Sequence, residues 1–182
     1  MWDTINADPE TVTRLHESYL ESLEPARERL RGRIAGVAGV QLDGSIESLV
    51  PLNAWFMDEI LETPDKPGLS LPSWWDPAMP TAETGDPETY PFTRSQLELI
   101  DEVQAYYAEV LQKVRPDAPW VIYKRGKRNI NNGRSMIKLA KDHFLAPRTV
   151  VYGVALGSVL YNQPSPVDVL ATVARDIQLE GR

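Results

Sequence analysis

Residues 120–140, with the sequence WVIYKRGKRNINNGRSMIKLA, constrain the fold more strongly than any other stretch of the chain. Asn132-Gly133 is a preferred pair for a two-residue type I′ turn, because both central residues of that turn need a positive φ. Apolar residues alternate on either side of the pair, which is typical of strands with one buried face. Arg125-Gly126 can form a second turn. The segment is therefore predicted to fold as an antiparallel meander, with strands over residues 120–124, 127–131 and 134–140.

An alternative interpretation pairs the outer two strands directly, as a hairpin, and makes residues 124–134 a loop. In the meander, Val121 lies opposite Ile130 and Ile130 lies opposite Ser135, since two-residue turns fix the register. A slip of one residue in any strand would exchange the two faces. Without such a slip, one face carries the apolar side chains of Val121, Tyr123, Ile130, Ile137 and Leu139.

The other face of the predicted meander is cationic and rich in amides, which is a composition suited to an interaction surface. Its candidate binding residues are Trp120, Lys124, Lys127, Asn129, Asn131, Arg134 and Lys138. Arg128 is a misfit on the apolar face, and we include it among the candidate binding residues. We predict that this face binds a partner.

The charge of the chain is unevenly distributed. Its formal net charge is −7, which disfavours indiscriminate binding to nucleic acid or to anionic lipid. Residues 124–134 nevertheless contain several basic residues and no acidic one, so the remainder is more acidic than the whole chain. A basic patch of this kind suits an acidic protein partner, pairing with the protein's own acidic helices, or ordinary solvation.

Length and composition predict one α+β domain over residues 1–182. A chain of 182 residues can bury one substantial core, and the absence of cysteine excludes disulfides, thiolate nucleophiles and zinc sites built on sulfur. The N-terminal residues show no secretory signal pattern, and the longest apolar stretch is too short to span a bilayer. We therefore predict a cytoplasmic protein that does not contact a membrane.

Helices account for most of the predicted structure. Asp8-Pro9 combines an N-cap with a proline at the first helical position, so a helix is predicted to begin there. Pro25 lies inside its apolar pattern and is expected to kink the helix or to split it in two. A second amphipathic helix is predicted over residues 45–62.

The clearest helix of the sequence begins after Thr93, which forms a capping box with Gln96. Its polar residues are predicted to face water, and they include Glu98, Asp101, Glu102, Glu109 and Gln112. Residues 147–161 are compatible with a helix or a strand, because periodicity does not separate the two in a short apolar run. Ser165-Pro166 repeats the cap-then-proline pattern and predicts a final helix.

A proline-rich strap over residues 63–91 connects the second predicted helix to the third. Such a composition is typical of linkers, but it contains Trp74 and Trp75. Buried indoles would fix the strap to the domain. Exposed indoles would instead be anchors for a partner, and the pair is a candidate binding site for that reason. Burial is the favoured interpretation, because adjacent exposed tryptophans promote aggregation.

Catalytic and metal-binding patterns are not found in the sequence. The two histidines, His16 and His143, lie in no recognisable motif, and the clustered carboxylates are spaced as on solvated helix faces. We expect no catalytic residue, no metal and no cofactor. An enzyme would need a pocket that joins one of the histidines to carboxylates.

The leading functional hypothesis is a non-catalytic protein-binding module. An immunity- or antitoxin-like protein that neutralises a basic toxin is one concrete form of it, motivated by the acidic residues outside the basic segment. The alternative is a nucleic-acid-binding protein that uses the basic meander, with affinity that falls steeply with salt.

Overall fold

The computed structural model describes residues 4, 6–64, 66, 68–126, 129–161 and 165–180. This part of the chain is mostly helical with a small antiparallel sheet, which confirms the predicted α+β class. The helices are α1 (Pro9–Ile34), α2 (Leu49–Glu62), α3 (Arg94–Val114), α4 (Pro147–Val159) and α5 (Val169–Glu180). The strands are β1 (Trp120–Ile122), β2 (Ser135–Lys138) and β3 (Phe144–Leu145). No helix in these described ranges is both long and apolar enough to cross a membrane.

Local sequence signals place the start of α1. The Asp8 carboxylate accepts a hydrogen bond of 2.9 Å from the backbone N–H of Thr11, and Pro9 occupies the first turn. Pro25 lies within one helix that continues to Ile34, so of the two predicted effects, a kink or a division into two helices, the division does not occur. Proline removes a backbone donor, but the helix is held on both sides of it by burial of Leu23, Ala26 and Leu30 against the core.

The central helix of the fold is α3. It begins with the predicted capping box, in which Thr93 and Gln96 exchange hydrogen bonds. It packs against α1, α4, α5 and α2, so even polar positions along it are enclosed. Asp101 and Glu102 are 2 % and 1 % exposed, and the prediction that they face water is wrong. The ambiguous segment after Pro147 forms a helix, α4, which packs on α3.

The sheet follows the alternative interpretation and not the meander. β1 pairs directly with β2, with Trp120 opposite Ile137 and Val121 opposite Met136. The predicted middle strand is wrong in the described residues 129–131, since 129 is in no strand and 130–131 form a turn. Lys127 and Arg128 lie outside the described residues. Ile130, which was expected on the buried face, is 68 % exposed. The third strand is β3, which pairs with β2.

The turn at Asn132-Gly133 forms within the loop. The backbone N–H of Arg134 donates to the carbonyl of Asn131 at 3.0 Å, and the N–H of Gly133 donates to the carbonyl of Tyr123 at 2.8 Å. Gly133 has a φ of 84°, which few other residues adopt readily. In the described part of the loop, turn hydrogen bonds pair backbone groups of Asn129 and Asn131 that a middle strand would have used.

The strap is held to the body of the protein by its tryptophans. Trp74 and Trp75 are 2 % and 4 % exposed, which confirms the anchoring interpretation. Their rings meet edge to face with centroids 5.9 Å apart, and Trp74 also contacts Tyr152 of α4 in the same geometry at 6.5 Å. The strap thereby places an indole between α1, α3 and α4.

Candidate anion-binding site

The acidic face of α3 is engaged by α1. The guanidinium of Arg33 donates to both carboxylate oxygens of Glu102, at 2.7 and 3.2 Å, and Arg29 donates to Asp101 at 3.0 Å. Arg27 and Arg31 approach Glu109 two turns further along α3, at 3.5 and 3.3 Å. Asp101, Glu102 and Glu109, which are among the acidic residues that suggested binding to a basic toxin, are therefore paired with arginines of the protein itself.

The basic segment is spread over several environments. Lys124 and Lys138 are exposed. Trp120 packs edge to face on Tyr19, with centroids 5.6 Å apart. The Asn129 side-chain oxygen accepts a hydrogen bond of 2.9 Å from the backbone N–H of Asn131. Lys127 and Arg128 are not part of the described chain, so their contribution stays a prediction.

Arg125 and Arg134 differ in their burial and in the partners of their guanidinium groups. Arg125 forms an ion pair with Asp142 and lies 5.7 Å from the ring centroid of Phe144. Arg134 is half-buried, and it donates from Nη1 to the Asn131 side chain at 3.0 Å. The Nε of Arg134 is buried and has no partner among the described residues. Burial lowers the pKa of Arg134 below its usual range, so this charge turns toward the interior at some cost in free energy.

The interior neighbour of Arg134 is Arg148, in the first turn of α4. Its side chain is almost fully enclosed, since the residue is 8 % exposed. The guanidinium carbon lies 5.7 Å from the ring centroid of Tyr19 and 5.3 Å from that of Trp74. Burial, with a further contribution from the Arg134 charge, lowers the pKa of Arg148 to about 10. At neutral pH Arg148 is therefore a buried cation.

Arg148 has no ion-pair partner in the described part of the chain. Its Nε also lacks a hydrogen-bond partner there. Buried charges in proteins are normally paired, because leaving water costs several kcal/mol per ion, on the order of 20 in the idealised limit. Two aromatic rings offset only part of this cost, at roughly 1–2 kcal/mol each.

Arg134 and Arg148 line one small cavity, which we call the arginine cleft. It is narrow and partly open to solvent, and it leaves about 20 Å³ for the centre of a water-sized sphere. Its described walls are Thr4, Leu15, His16, Tyr19, Ser73, Trp74, Gly133, Arg134, Ser135 and Arg148. None of these described walls is a carboxylate, so the positive charge of the cleft is not balanced by any of these residues.

Two further polar side chains at the cleft, those of His16 and Thr4, are held by hydrogen bonds within the protein. His16 Nδ1 lies 2.9 Å from the hydroxyl oxygen of Ser135, and burial lowers the pKa of His16, so the ring is neutral at neutral pH. The hydroxyl of Thr4 donates to the carbonyl of Asn132 at 2.5 Å. A wider groove adjoins the cleft, shares Thr4 and Gly133 with it, and is lined also by Lys124.

This arrangement is suited to an oxyanion. Guanidinium groups present rigid N–H donors that match the oxygen spacing of carboxylates, phosphates and sulfates. Arg148 additionally lies at a helix N-terminus, whose dipole favours negative charge. A bound oxyanion would supply both the missing counter-charge and an acceptor for the unpaired Nε groups.

Only part of this site was predicted from the sequence. Arg134 and Trp74 were candidate binding residues and line the cleft, whereas Trp75, Trp120, Asn129, Asn131 and Lys138 do not. Arg148 was missed. Its signal is that it is the one charged residue of the otherwise apolar α4 sequence PRTVVYGVALGSV. A lone cation in a buried helix is uncommon unless it is paired.

Neither histidine meets a carboxylate in a pocket of the described structure. His143 lies 2.6 Å from Glu180 on the surface, with both side chains nearly half exposed, and His16 faces the carboxylate-free walls of the arginine cleft. Within the described ranges, no group of three or more His, Asp or Glu side chains is arranged to hold a metal ion.

Comparison of the chain with protein-family models, with curated proteins and with solved structures finds no match.

Proposed function

We propose that this protein is an oxyanion-binding protein, and that the arginine cleft recognises a carboxylate, phosphate or sulfate group. The observation that supports the proposal is Arg148, a buried cation without an ion-pair partner among the described residues. Binding is the proposed class of function, as expected from the sequence, but the ligand is anionic and the cleft, not the exposed strand face, receives it.

Without a bound anion, the arginine cleft has an unfavourable electrostatic free energy. Arg148 and Arg134 repel each other and are both partly removed from water. An anion between them replaces repulsion by two attractive, charge-assisted hydrogen-bonding partners. Hydrogen bonds to charged groups contribute roughly 1.5–3 kcal/mol each. Loss of either arginine should therefore weaken anion binding by about 10- to 100-fold.

The protein-neutralising hypothesis remains a prediction, as does a cytoplasmic location. The acidic residues support the protein-neutralising hypothesis less than the sequence indicates, because Asp101 and Glu102 are buried against arginines of α1. The nucleic-acid hypothesis also remains a prediction. It uses Lys124, Lys127, Arg128 and Arg134. Lys124 is exposed, as is the candidate binding residue Lys138, and binding through these two lysines should be independent of the buried Arg148.

Calorimetric titration with sodium sulfate, phosphate and formate, at constant ionic strength adjusted with chloride, tests the proposal. Wild type should bind at least one of these oxyanions, and Arg148→Met and Arg134→Met should each weaken it by about 10- to 100-fold. Arg175→Met is the matched control, because Arg175 is exposed on α5, and it should bind like wild type.

Three outcomes separate the alternatives. Binding that is equal in wild type and Arg148→Met would overturn the proposal, as would an absence of binding for all three oxyanions. Retention of a single-stranded oligonucleotide by Arg148→Met, with loss in a Lys124→Ala/Lys138→Ala variant, would support the nucleic-acid hypothesis instead.

A further inference from the structure

Asp101 is the buried carboxylate nearest in structure to the aromatic walls of the arginine cleft. Its Oδ1 accepts hydrogen bonds from the indole N–H of Trp74 at 2.8 Å and from the side-chain amide of Gln104 at 3.2 Å. Its Oδ2 accepts from Arg29 at 3.0 Å. Both oxygens of a side chain that is 3 % exposed are thus held by donors from three different parts of the fold.

Asp101 reaches both rings that flank Arg148. It holds Trp74 directly, through the indole N–H. It holds Tyr19 through Gln104, whose side-chain oxygen accepts a hydrogen bond of 2.6 Å from the Tyr19 hydroxyl. Since the guanidinium of Arg148 lies against these two rings, the carboxylate fixes the orientation of the walls that orient the arginine.

We propose that Asp101 is the positioning residue of the arginine cleft and that it takes up a proton when an oxyanion binds there. This inference rests on the proposed function. It adds a regulatory property, namely that the affinity of the cleft for an anion rises as the pH falls.

The charges around Asp101 determine whether a bound anion raises or lowers the pKa of its carboxyl group. Arg29 on α1 and Arg148 on α4 favour its ionised form, while Glu102 on α3 and burial disfavour it. The balance raises the pKa of Asp101 to about 6. A bound anion offsets the Arg148 charge, so the ionised form loses part of its stabilisation and the pKa rises further.

Other titratable groups face the same region. Tyr19 on α1 stays protonated, because burial raises the pKa of its hydroxyl well above the usual range. Glu98 on α3 lines, with Asp101 and Arg29, a second cavity of about 200 Å³, partly open to solvent, through which a proton can reach the carboxylate. His16 lines the arginine cleft itself, and its protonation would also strengthen anion binding. A test must therefore separate Asp101 from His16.

Sulfate is the appropriate probe, because it does not titrate near pH 6. Calorimetric titrations at pH 5.5, 6.5 and 7.5, each in two buffers of different protonation enthalpy, measure affinity and proton uptake together. For wild type we expect a several-fold higher affinity at pH 5.5 than at pH 7.5 and uptake of a substantial fraction of a proton near pH 6.5. In Asp101→Asn most of the pH dependence and of the proton uptake should disappear, whereas in His16→Gln most of both should remain.

Trp74→Phe provides a second variant, should Asp101→Asn fail to fold. It keeps an aromatic ring beside Arg148 but removes the N–H that lowers the pKa of Asp101. The pH at which sulfate affinity changes should therefore move upward by a measurable fraction of a pH unit. A merely structural role of Asp101 would not move this midpoint.

The outcomes distinguish this inference from the function on which it rests. Sulfate binding without pH dependence in wild type would overturn the proton linkage and leave the proposed function standing. Loss of proton uptake in His16→Gln but not in Asp101→Asn would also overturn the linkage. If wild type binds no oxyanion at any of the three pH values, both proposals fail.

Discussion

Gly133 lies against Thr4, in the N-terminal part of the chain. Its φ is +84°, and a Cβ built there would lie 2.7 Å from the Cβ of Thr4 and 3.0 Å from its carbonyl oxygen. Glycine is therefore required here both for its positive φ and because a side chain would collide with Thr4. Because Gly133 and Thr4 line the arginine cleft, this contact also shapes the candidate site.

Gly133→Ala should lower the free energy of unfolding by about 2 kcal/mol, with about 1 kcal/mol from the positive φ and the remainder from displacement of Thr4. Gly36→Ala is the matched control, because its φ is +92° and a Cβ there meets nothing within 4 Å. Only the conformational cost applies to it. Urea unfolding measures both variants, and equal losses would show that the contact with Thr4 contributes nothing.

At the scale of the elements, α1 and α3 are joined by a charged seam. Arginines recur along the last turns of α1, and those four residues apart share a side of the helix. Arg29 and Arg33 therefore meet the group around Asp101 and Glu102, while Arg27 and Arg31 meet Glu109. The seam places buried carboxylates beside the arginine cleft without letting them line it.

The partly buried Arg33 and the buried Arg148 should respond differently to substitution by methionine. Arg33→Met should lower the free energy of unfolding by about 2 kcal/mol or more, since it leaves the 1 % exposed Glu102 carboxylate with weaker pairing. Arg148→Met removes a buried charge that lacks an ion pair in the described chain, so its stability in a buffer free of oxyanions should be unchanged or higher. Chemical denaturation tests both, and a comparable loss in the two variants would contradict this account of Arg148.

At the scale of the whole molecule, buried carboxylates make stability depend on pH. The pKa of Asp101 is about 6 in the folded protein, above its ordinary value of 3.8, because burial disfavours the charge. The folded state then binds the proton more tightly than the unfolded state, so this group stabilises the fold below pH 3.8. That contribution is lost as the pH rises toward 6.

Asp101→Asn should remove this dependence. The stability of wild type relative to the variant should fall by up to about 3 kcal/mol between pH 4 and pH 7, as the pKa difference implies. Carboxylates with lowered pKa, such as Asp8 and Asp117, change stability in the opposite direction but are common to both proteins. Urea unfolding at a series of pH values gives the difference, and a flat difference would refute the assignment to Asp101.

The sequence by itself determined the elements whose signals are local. The Asp8 cap, the Thr93–Gln96 capping box and the apolar periodicity of α3 need only neighbouring residues, and each appears in the structure. The turn at Asn132-Gly133 forms for the same reason. Burial of Trp74 and Trp75 could also be inferred, because a pair of indoles is costly to expose.

Tertiary structure decided how these elements combine. The pairing of β1 with β2 and the two-residue strand β3 depend on contacts across a loop, which no local pattern specifies. Likewise, Asp101 and Glu102 look like surface residues until the arginines of α1 lie against them, and Arg148 and Arg134 meet only when α4 and the loop pack together. A side chain's charge is written in the sequence, but its pairing and its exposure to water are set by residues distant along the chain, and these give the arginine cleft its chemistry.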